Sequence, residues 1–475
     1  MTERATADHV YFGSTRSLCA TCKGAVDARV VFRGGAVYLE KHCPEHGAAS
    51  ARVASSVDWY LDALSFATPS SPPEGGTPVV RGCPFDCGPC AMHQQKSALP
   101  VVPITSACNL DCPVCYTHNR NEAPFMLSTE AFATVLADLS ARGELDIINF
   151  TGGEPTLHPE LGEMLRMSRR AGIKRLTVST NGLLLREELV RELAEADARV
   201  VLSLDTFDDA VDAKLLGATT VRAKLRALDL LERHGVTTSI LPAIAAGLND
   251  RDVGRLFDLM LERQNVCSLE LHTIAFTGDR GASFDRAARI TTPDLHRLLE
   301  EHTAGRLRAS DFVPSPLAHP HCYSICYLLM LDGGDYVPFT RFMSRQALYE
   351  LLSDSLYIEP GERVELALRD AIDALWSEAE GAPILAALKR LIGQMFPPDR
   401  AVPLAERRLI AERASKAVYI HSHMDAESFD VSRIAKCCVS VPSMPGGDDR
   451  AGGFIPTCAY NVLYRARDVR FRARP

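Results

Sequence analysis

Long apolar runs are missing from this sequence. Nowhere do about 18 apolar residues follow one another, the length a helix needs to span a bilayer, so no segment reads as a membrane span. Basic blocks are missing too. The formal net charge is −8, with 52 Lys and Arg against 60 Asp and Glu, so nucleic acid is not an expected partner. The opening stretch MTERATADHV carries acidic residues and no apolar core. It does not read as a secretory signal, and a cytoplasmic location is expected. Composition is otherwise that of a globular protein, 46% hydrophobic and 24% charged. At 475 residues the chain is too long for one core, and roughly two to four domains are expected.

Cysteine, by contrast, is abundant, at 15 residues. The cysteines fall in groups, and only Cys267 stands alone. Grouped thiols in a chain without an export signal point to metal rather than to disulfides. The central group lies in Val101–Arg120, VVPITSACNLDCPVCYTHNR, where an apolar run ends in Cys108, Cys112 and Cys115, followed by Tyr116. Three thiolates on one loop suit three irons of a cubane [4Fe–4S] cluster and leave the fourth iron open. A structural zinc loop would pair C-x2-C units and want four protein ligands.

Residues 1–56 read as a small metal module of zinc-ribbon or rubredoxin type. Cys19 and Cys22 precede two apolar-rich arms that meet at Gly34-Gly35, a hairpin signal. Cys43 and His46 follow. The four side chains suit tetrahedral Zn²⁺ or a mononuclear iron. Residues 57–100 read as a linker with an auxiliary cysteine group. Ser56–Ala67 is an expected amphipathic helix and Thr68–Pro78 an extended connector. Cys83, Cys87 and Cys90 then repeat the compact spacing. An auxiliary iron–sulfur cluster is the preferred reading, its fourth ligand being His93, a remote cysteine or a small molecule. A zinc knuckle using His93 is the alternative.

Residues 101–280 alternate strand and helix. Strands are expected at Val101–Thr105, Asp146–Thr151, Arg175–Thr180, Arg199–Ser203, Thr237–Ala243 and Ser268–Thr273. His158–Ala171 and Val221–His234 carry helix boundary signals, each with glycine just beyond. Six βα units imply an α/β fold with a parallel sheet curled into a partial barrel. By analogy with complete barrels, active residues belong at the strands' C-terminal ends. Polar motifs fall there: Gly152-Gly153-Glu154-Pro155, Ser179-Thr180-Asn181-Gly182 and Ser203-Leu204-Asp205.

In residues 281–475, helices are expected at Arg363–Glu378, Ile384–Phe396 and Leu404–Ile420. Cys322, Cys326 and Cys458, with one of the vicinal pair Cys437-Cys438, would make a four-cysteine auxiliary cluster. The other member of the pair would reach the Cys83 group. His421 and His423 read as metal ligands or acid/base groups or, with no third ligand in sight, as packed or solvated side chains.

The order of motifs is distinctive: C-x2-C with CPEHG, GCPFDCGPC, CNLDCPVCY, TGGEP, KCC and IPTCAYN. It resembles the archaeal tetraether lipid synthases and the related pterin C-methylases, a class D-like branch of the radical S-adenosylmethionine (SAM) superfamily. The resemblance implies a partial (β/α)6 barrel with an N-terminal metal ribbon and a C-terminal auxiliary iron–sulfur domain. It implies a SAM-binding [4Fe–4S] cluster on Cys108, Cys112 and Cys115, one or two auxiliary clusters, and zinc or iron in the ribbon. Tyr116, Gly152, Gly153, Glu154 and Pro155 would meet SAM, with Glu154 drawing its ammonium. Ser179, Asn181, Ser203 and Asp205 would meet SAM or substrate, and Ile240–Ala243 would flank adenine. The expected reaction is reductive cleavage of SAM to a 5′-deoxyadenosyl radical, then C–C bond formation, by methylation or alkyl coupling, on a lipid or pterin-like substrate. An electron donor such as ferredoxin or flavodoxin would be the partner. A peptide- or natural-product-modifying radical SAM enzyme is the alternative, although a metal ribbon stands where such enzymes carry a peptide-binding module. A metal scaffold without SAM turnover, and an arsenite site on Cys437-Cys438, are further readings.

Overall fold

The computed structural model describes residues 8–73, 78–88, 90–143, 146–376, 381–443 and 453–471. Part of the expected connector, Pro89 of the second cysteine group and the end of the expected helix Arg363–Glu378 lie outside them.

The N-terminal module is an antiparallel four-stranded sheet of β1 (Val10–Leu18), β2 (Ala25–Arg33), β3 (Ala36–Cys43) and β4 (Gly47–Ala54), in that order. Gly34 and Gly35 both have positive φ, which the two-residue turn joining β2 to β3 requires. Alternating residues of β2 and β3, among them Ala28, Val30, Val37 and Leu39, form the module's own core with Tyr60. Tyr60 lies on the helix Val57–Leu64, whose N-terminus is capped by Ser56. The expected helix Ser56–Ala67 is thus present in a shorter form.

Among the described residues the second sheet has twelve strands. Its centre is β5 (Leu99–Thr105), β6 (Ile147–Gly152), β7 (Arg175–Thr180), β8 (Ala198–Leu202), β9 (Thr238–Ile240), β10 (Ala243–Ile244) and β11 (Val266–Thr273), all paired in parallel. Helices between them bury Leu161, Met164, Leu165, Val190, Leu228 and Leu231 against the sheet. The expected helix His158–Ala171 begins only at Leu161. His158 is held outside it, its Nδ1 accepting from the Glu160 amide at 3.1 Å and its Nε2 donating to the Leu127 carbonyl at 2.9 Å.

The C-terminal region extends the sheet at both edges. On one side β14 (Ser415–His421) pairs parallel to β11, β12 (Tyr323–Met330) pairs antiparallel to β14, and β13 (Tyr336–Pro338) follows. On the other, β15 (Val439–Pro442) pairs parallel to β5, with β16 (Phe454–Pro456) beyond it. The expected helix Leu404–Ile420 therefore ends at Ala414. Its second half, SKAVYIH, is β14. Val418, Tyr419 and Ile420 are β-branched or aromatic and fit a central strand buried on both faces. Side chains from both edges share one apolar cluster, which includes Val101, Cys322, Tyr323, Tyr419, Cys438 and Val439.

The ribbon is fastened to this C-terminal region. Lys41 is buried, and its ammonium donates to Ser17 Oγ and to the carbonyls of Ala426 and Glu427, at 3.1, 2.7 and 2.8 Å. Ser17 Oγ in turn donates to the Phe429 carbonyl at 2.6 Å. Replacing Lys41 by Met keeps the stem packed but leaves the buried Ala426 carbonyl and the part-buried Glu427 carbonyl without this donor. The expected loss is about 1–3 kcal/mol, read as a lower midpoint in denaturant unfolding of the full chain. A loss below about 0.5 kcal/mol, the usual range for surface substitutions, would show that docking does not depend on this cation.

Candidate active site and metal centres

The TGGEP segment leaves β6 and turns against the strand beside it. The Gly153 amide donates to the Thr105 carbonyl at 2.8 Å and the Glu154 amide to the Ala107 carbonyl at 2.7 Å. A Cβ at Gly152 would collide with the Thr105 backbone, and one at Gly153 with the Ala107 carbonyl. The paired glycines therefore let two backbones touch directly below the cysteine loop.

Glu154 is buried. Its carboxylate accepts from the Thr156 amide and hydroxyl at 3.1 and 2.6 Å, from the Thr180 hydroxyl at 2.6 Å and from the Asn181 amide at 2.8 Å. Burial raises its pKa, and these hydrogen bonds oppose the rise. The carboxylate thus knits β6 to β7. Asn181 carries the link onward, donating from Nδ2 to Asn109 Oδ1 at 2.7 Å, one residue past Cys108. Ser179 Oγ donates to Asn149 Oδ1 at 3.0 Å. Asp205 is also buried and engaged, accepting from the Ala243 amide at 2.8 Å and from Lys224 Nζ at 3.4 Å. Ser203 is half-buried at the same rim, its amide donating to the Thr180 carbonyl at 3.1 Å. Of the residues expected to flank adenine, Ile240 is fully buried in the barrel wall, while Leu241 and Ala243 are half-buried.

Cys108, Cys112 and Cys115 sit half-buried on the loop after β5. The Cys108 amide donates to Asn121 Oδ1 at 2.9 Å, and Thr117 Oγ1 lies 3.1 Å from Cys115 Sγ. Gly278 and Gly281 back the loop so closely that a Cβ on either would press on the Cys115 carbonyl, at 2.7 and 2.8 Å. Burial, aided by the charges of Glu154, Cys115 and Asp111, pushes the Cys108 thiol up to about 11. Burial raises Cys112 further. Left bare, these two thiols stay protonated at neutral pH. A strongly Lewis-acidic, thiophilic partner is what turns such a trio into thiolates, and the donor set fits an iron–sulfur cluster.

In the ribbon, Cys19, Cys22, Cys43 and His46 bring their ligand atoms within 4.8 Å of one another. Cys43 Sγ and Cys19 Sγ lie 3.4 and 3.6 Å from His46 Nδ1, and the Cys22 and Cys43 sulfurs 3.9 Å apart. Burial works against ionisation of Cys19. The amides of Cys22 and Thr21 and the thiols of Cys22 and Cys43 outweigh it and bring that thiol down to about 6. A thiolate ready at neutral pH in a closed set of four fits a tetrahedral metal ion.

Cys83, Cys87 and Cys90 are all buried, and Cys83 and Cys87 interact directly. Tyr464 Oη braces their loop, donating to the Pro84 carbonyl at 2.8 Å and accepting from the Cys87 amide at 3.1 Å. His93 turns its Nε2 to the Cys437 carbonyl at 2.9 Å. Cys458 lies in the same apolar cluster as Cys83 and Cys87, but the thiol and cation that act on it are Cys322 and Arg433. The expected C-terminal set is only partly assembled. Cys322 acts electrostatically on Cys437, Cys438 and Cys458, and Arg433, buried among them, donates from Nε to Cys322 Sγ at 3.4 Å. Cys326 is not brought to this group. It lies within β12 on the face that packs with Leu328, Val418 and Ile420, fully buried. Cys322 sits instead in the turn before β12 and packs with Tyr323 and Cys438, so the strand's alternation does not extend back to it.

Lys224, Asn109, Asn149, Gly278, Gly281 and Arg433 were not legible as site residues. Lys224 sits on a helix whose spacing alone does not reveal a buried charge. His272 was within reach, since it falls at the C-terminal end of an expected barrel strand.

The parallel strands, the cysteine loop on the first and the glycine–glutamate turn on the second define the class. Residues 102–260 match the Radical SAM superfamily, and residues 11–55 match the family described as the HMPTM N-terminal zinc ribbon domain. The chain is a radical SAM enzyme with an N-terminal zinc ribbon, a class that works with a [4Fe–4S] cluster and SAM. It is similar to a 7,8-dihydro-6-hydroxymethylpterin dimethyltransferase of Methanocaldococcus jannaschii, at 26% identity over 95% of this chain and 94% of that protein. It is similar also to an Fe-coproporphyrin III synthase of Methanosarcina barkeri, at 30% identity over 36% of this chain and 40% of that protein. A third relative is the tungsten-containing aldehyde ferredoxin oxidoreductase cofactor-modifying protein of Pyrococcus furiosus, at 39% identity over 18% of this chain and 25% of that one. Among the described residues no helix is long and apolar enough to cross a membrane.

Two outcomes test the geometry. Gly153→Ala forces apart the contact with Ala107, and overpacking of this kind costs about 1–3 kcal/mol. SAM affinity measured by calorimetry on the cluster-loaded protein should fall at least tenfold, and unchanged affinity would separate this contact from SAM binding. Cys22→Ser should remove about one metal ion per chain by mass-spectrometric metal analysis without changing acid-labile sulfide.

Proposed function

We propose that this enzyme methylates a carbon atom of a reduced pterin-like heterocycle. The observation that carries the reading is end-to-end similarity to a pterin dimethyltransferase, over 95% of this chain and 94% of that protein. The half-buried polar side chains Asn149, Ser179, Ser203 and His272 at the barrel rim suit a hydrogen-bonding ring better than an acyl chain.

In this reading Cys108, Cys112 and Cys115 hold the SAM cluster. When bound, cluster and SAM supply one-electron cleavage of the sulfonium and with it hydrogen abstraction from carbon. The chain's own residues do the positioning. Glu154 and Asn181 fix the loop that carries the cysteines, and the backbone turn at Gly152 and Gly153 presents a surface without side chains for the amino acid end of SAM. Asp205, tied to Lys224, holds the rim between β8 and β10. Cys83, Cys87 and Cys90, and separately Cys322, Cys437, Cys438 and Cys458 beside Arg433, are candidate holders of auxiliary clusters. The ribbon metal has a structural role. A ferredoxin- or flavodoxin-type donor supplies the electron.

Cleavage to 5′-deoxyadenosine leaves the methyl group of that SAM on methionine, so the added carbon comes from a methylene-folate-type donor or from a second SAM. The test is an anaerobic assay of the reduced, reconstituted protein with SAM, a methylene-folate and either a 7,8-dihydropterin or a lipid extract. Formation of 5′-deoxyadenosine together with a C-methylated pterin is the expected result. Product from the lipid extract alone would overturn the substrate class. The variant with alanine at Cys108, Cys112 and Cys115 should lose about four irons and all 5′-deoxyadenosine formation. Retained SAM cleavage would remove the cluster from this loop.

A further inference from the structure

Three histidines meet at the rim of the barrel, with only Cys458 of the cysteine groups described above in contact with them. His272 ends β11, and the parallel register sets it directly beside His421 at the end of β14. His423 follows two residues later and folds back over both. One ligand nitrogen from each lies within 4.8 Å of the others. His423 Nε2 is 3.2 Å from His272 Nδ1, and the His421 and His423 ring centroids are 4.0 Å apart. Among the described residues nothing hydrogen-bonds to the ring nitrogens of His421. Its ring is instead held by stacking on Tyr323, with centroids 4.1 Å apart.

From this juxtaposition we propose that His272, His421 and His423 form a mononuclear site for a divalent late transition metal such as Zn²⁺ or Fe²⁺. The donor chemistry selects the ion. Three imidazoles with no carboxylate in the set suit Zn²⁺, Fe²⁺, Co²⁺ or Ni²⁺ and disfavour Mg²⁺ and Ca²⁺. Burial holds all three imidazoles neutral, the form that ligates. The nearest cation, Arg433, is already paired with Cys322 Sγ and the Ser422 carbonyl.

Three protein ligands leave a tetrahedral ion one open position. The place gives that position a use. Tyr116, the neighbour of Cys115, lies parallel to the His423 ring with centroids 6.1 Å apart, so the trio stands beside the cysteine loop. Cys458 Sγ, 3.9 Å from His423 Nδ1, backs the ring on its other side. A metal here would take an oxygen or ring nitrogen of the substrate as its fourth ligand and hold it against the reacting end of the barrel. The metal site does not depend on which carbon the enzyme alkylates.

The test uses the full chain with its iron–sulfur centres reconstituted and its ribbon filled with zinc. Titration with Co²⁺ should add about one ion per chain, with visible d–d bands and no sulfur-to-cobalt charge-transfer band. X-ray absorption of the bound Co²⁺ in the unaltered protein should give a nitrogen and oxygen shell, and sulfur in that shell would overturn the site. His421→Ala should abolish this binding, and His272→Gln should weaken it at least tenfold, both with unchanged iron and sulfide content. Unchanged Co²⁺ binding in both variants would refute the proposal. So would loss of about four irons from either variant, which would make the histidines part of an iron–sulfur centre.

Discussion

Everything at the barrel rim depends on one buried carboxylate. A charge removed from water is tolerated only where donors replace its hydration, and Glu154 has four, drawn from its own turn and from the end of β7. Satisfying that charge fixes the turn after β6 relative to β7. The backbone contact of Gly153 and Glu154 with Thr105 and Ala107 then fixes both relative to β5, where the cysteine loop begins. The loop's position is thus set by hydrogen bonding beneath it, before any metal is bound. A network of this kind is held together only while every member is satisfied.

The ribbon and the C-terminal region obey a similar economy of buried polar groups. Lys41 answers two carbonyls in the segment after His423, and Arg433 answers a thiol and a carbonyl at the seam. Neither cation is spare charge on a surface. Each replaces water for polar groups at that seam, and each ties a cysteine-bearing element into the C-terminal region.

The barrel strands were legible because parallel strands buried on both faces read as short apolar runs. Arg175–Thr180 matches β7 to the residue, the expected Thr237–Ala243 is split into β9 and β10 at Leu241-Pro242, and the remaining barrel strands differ from expectation only at their ends. The cysteine loop and TGGEP were legible because their chemistry demands fixed spacing. What the sequence hid was tertiary. SKAVYIH continues a helical stretch in register, and only pairing with β11 and β12 makes it a strand. That misreading concealed the histidine trio, because His421 reaches His272 only when both end neighbouring strands. Spacing groups Cys326 with Cys322, yet β12 begins only at Tyr323, so Cys322 stays in the turn before it while Cys326 packs into the barrel wall. Asp205 and Glu154 looked like free ligands and proved to be internally engaged, since the partners Lys224, Thr180 and Thr156 declare themselves only in three dimensions.

The two edges of the sheet have a consequence for how the protein is assembled. The strand beside β5 is β15, and Leu99 pairs with Val439. The strand beside β11 is β14, more than a hundred residues downstream of it. Contacts this distant in sequence form late, because the intervening chain must be ordered first. The ribbon, the Cys83 group and the Cys108 loop are all synthesised long before β15 exists to cover the seam. The cysteine-bearing loops nearest the N-terminus therefore face an open half-barrel during synthesis, and the last part of the chain acts as the panel that closes it.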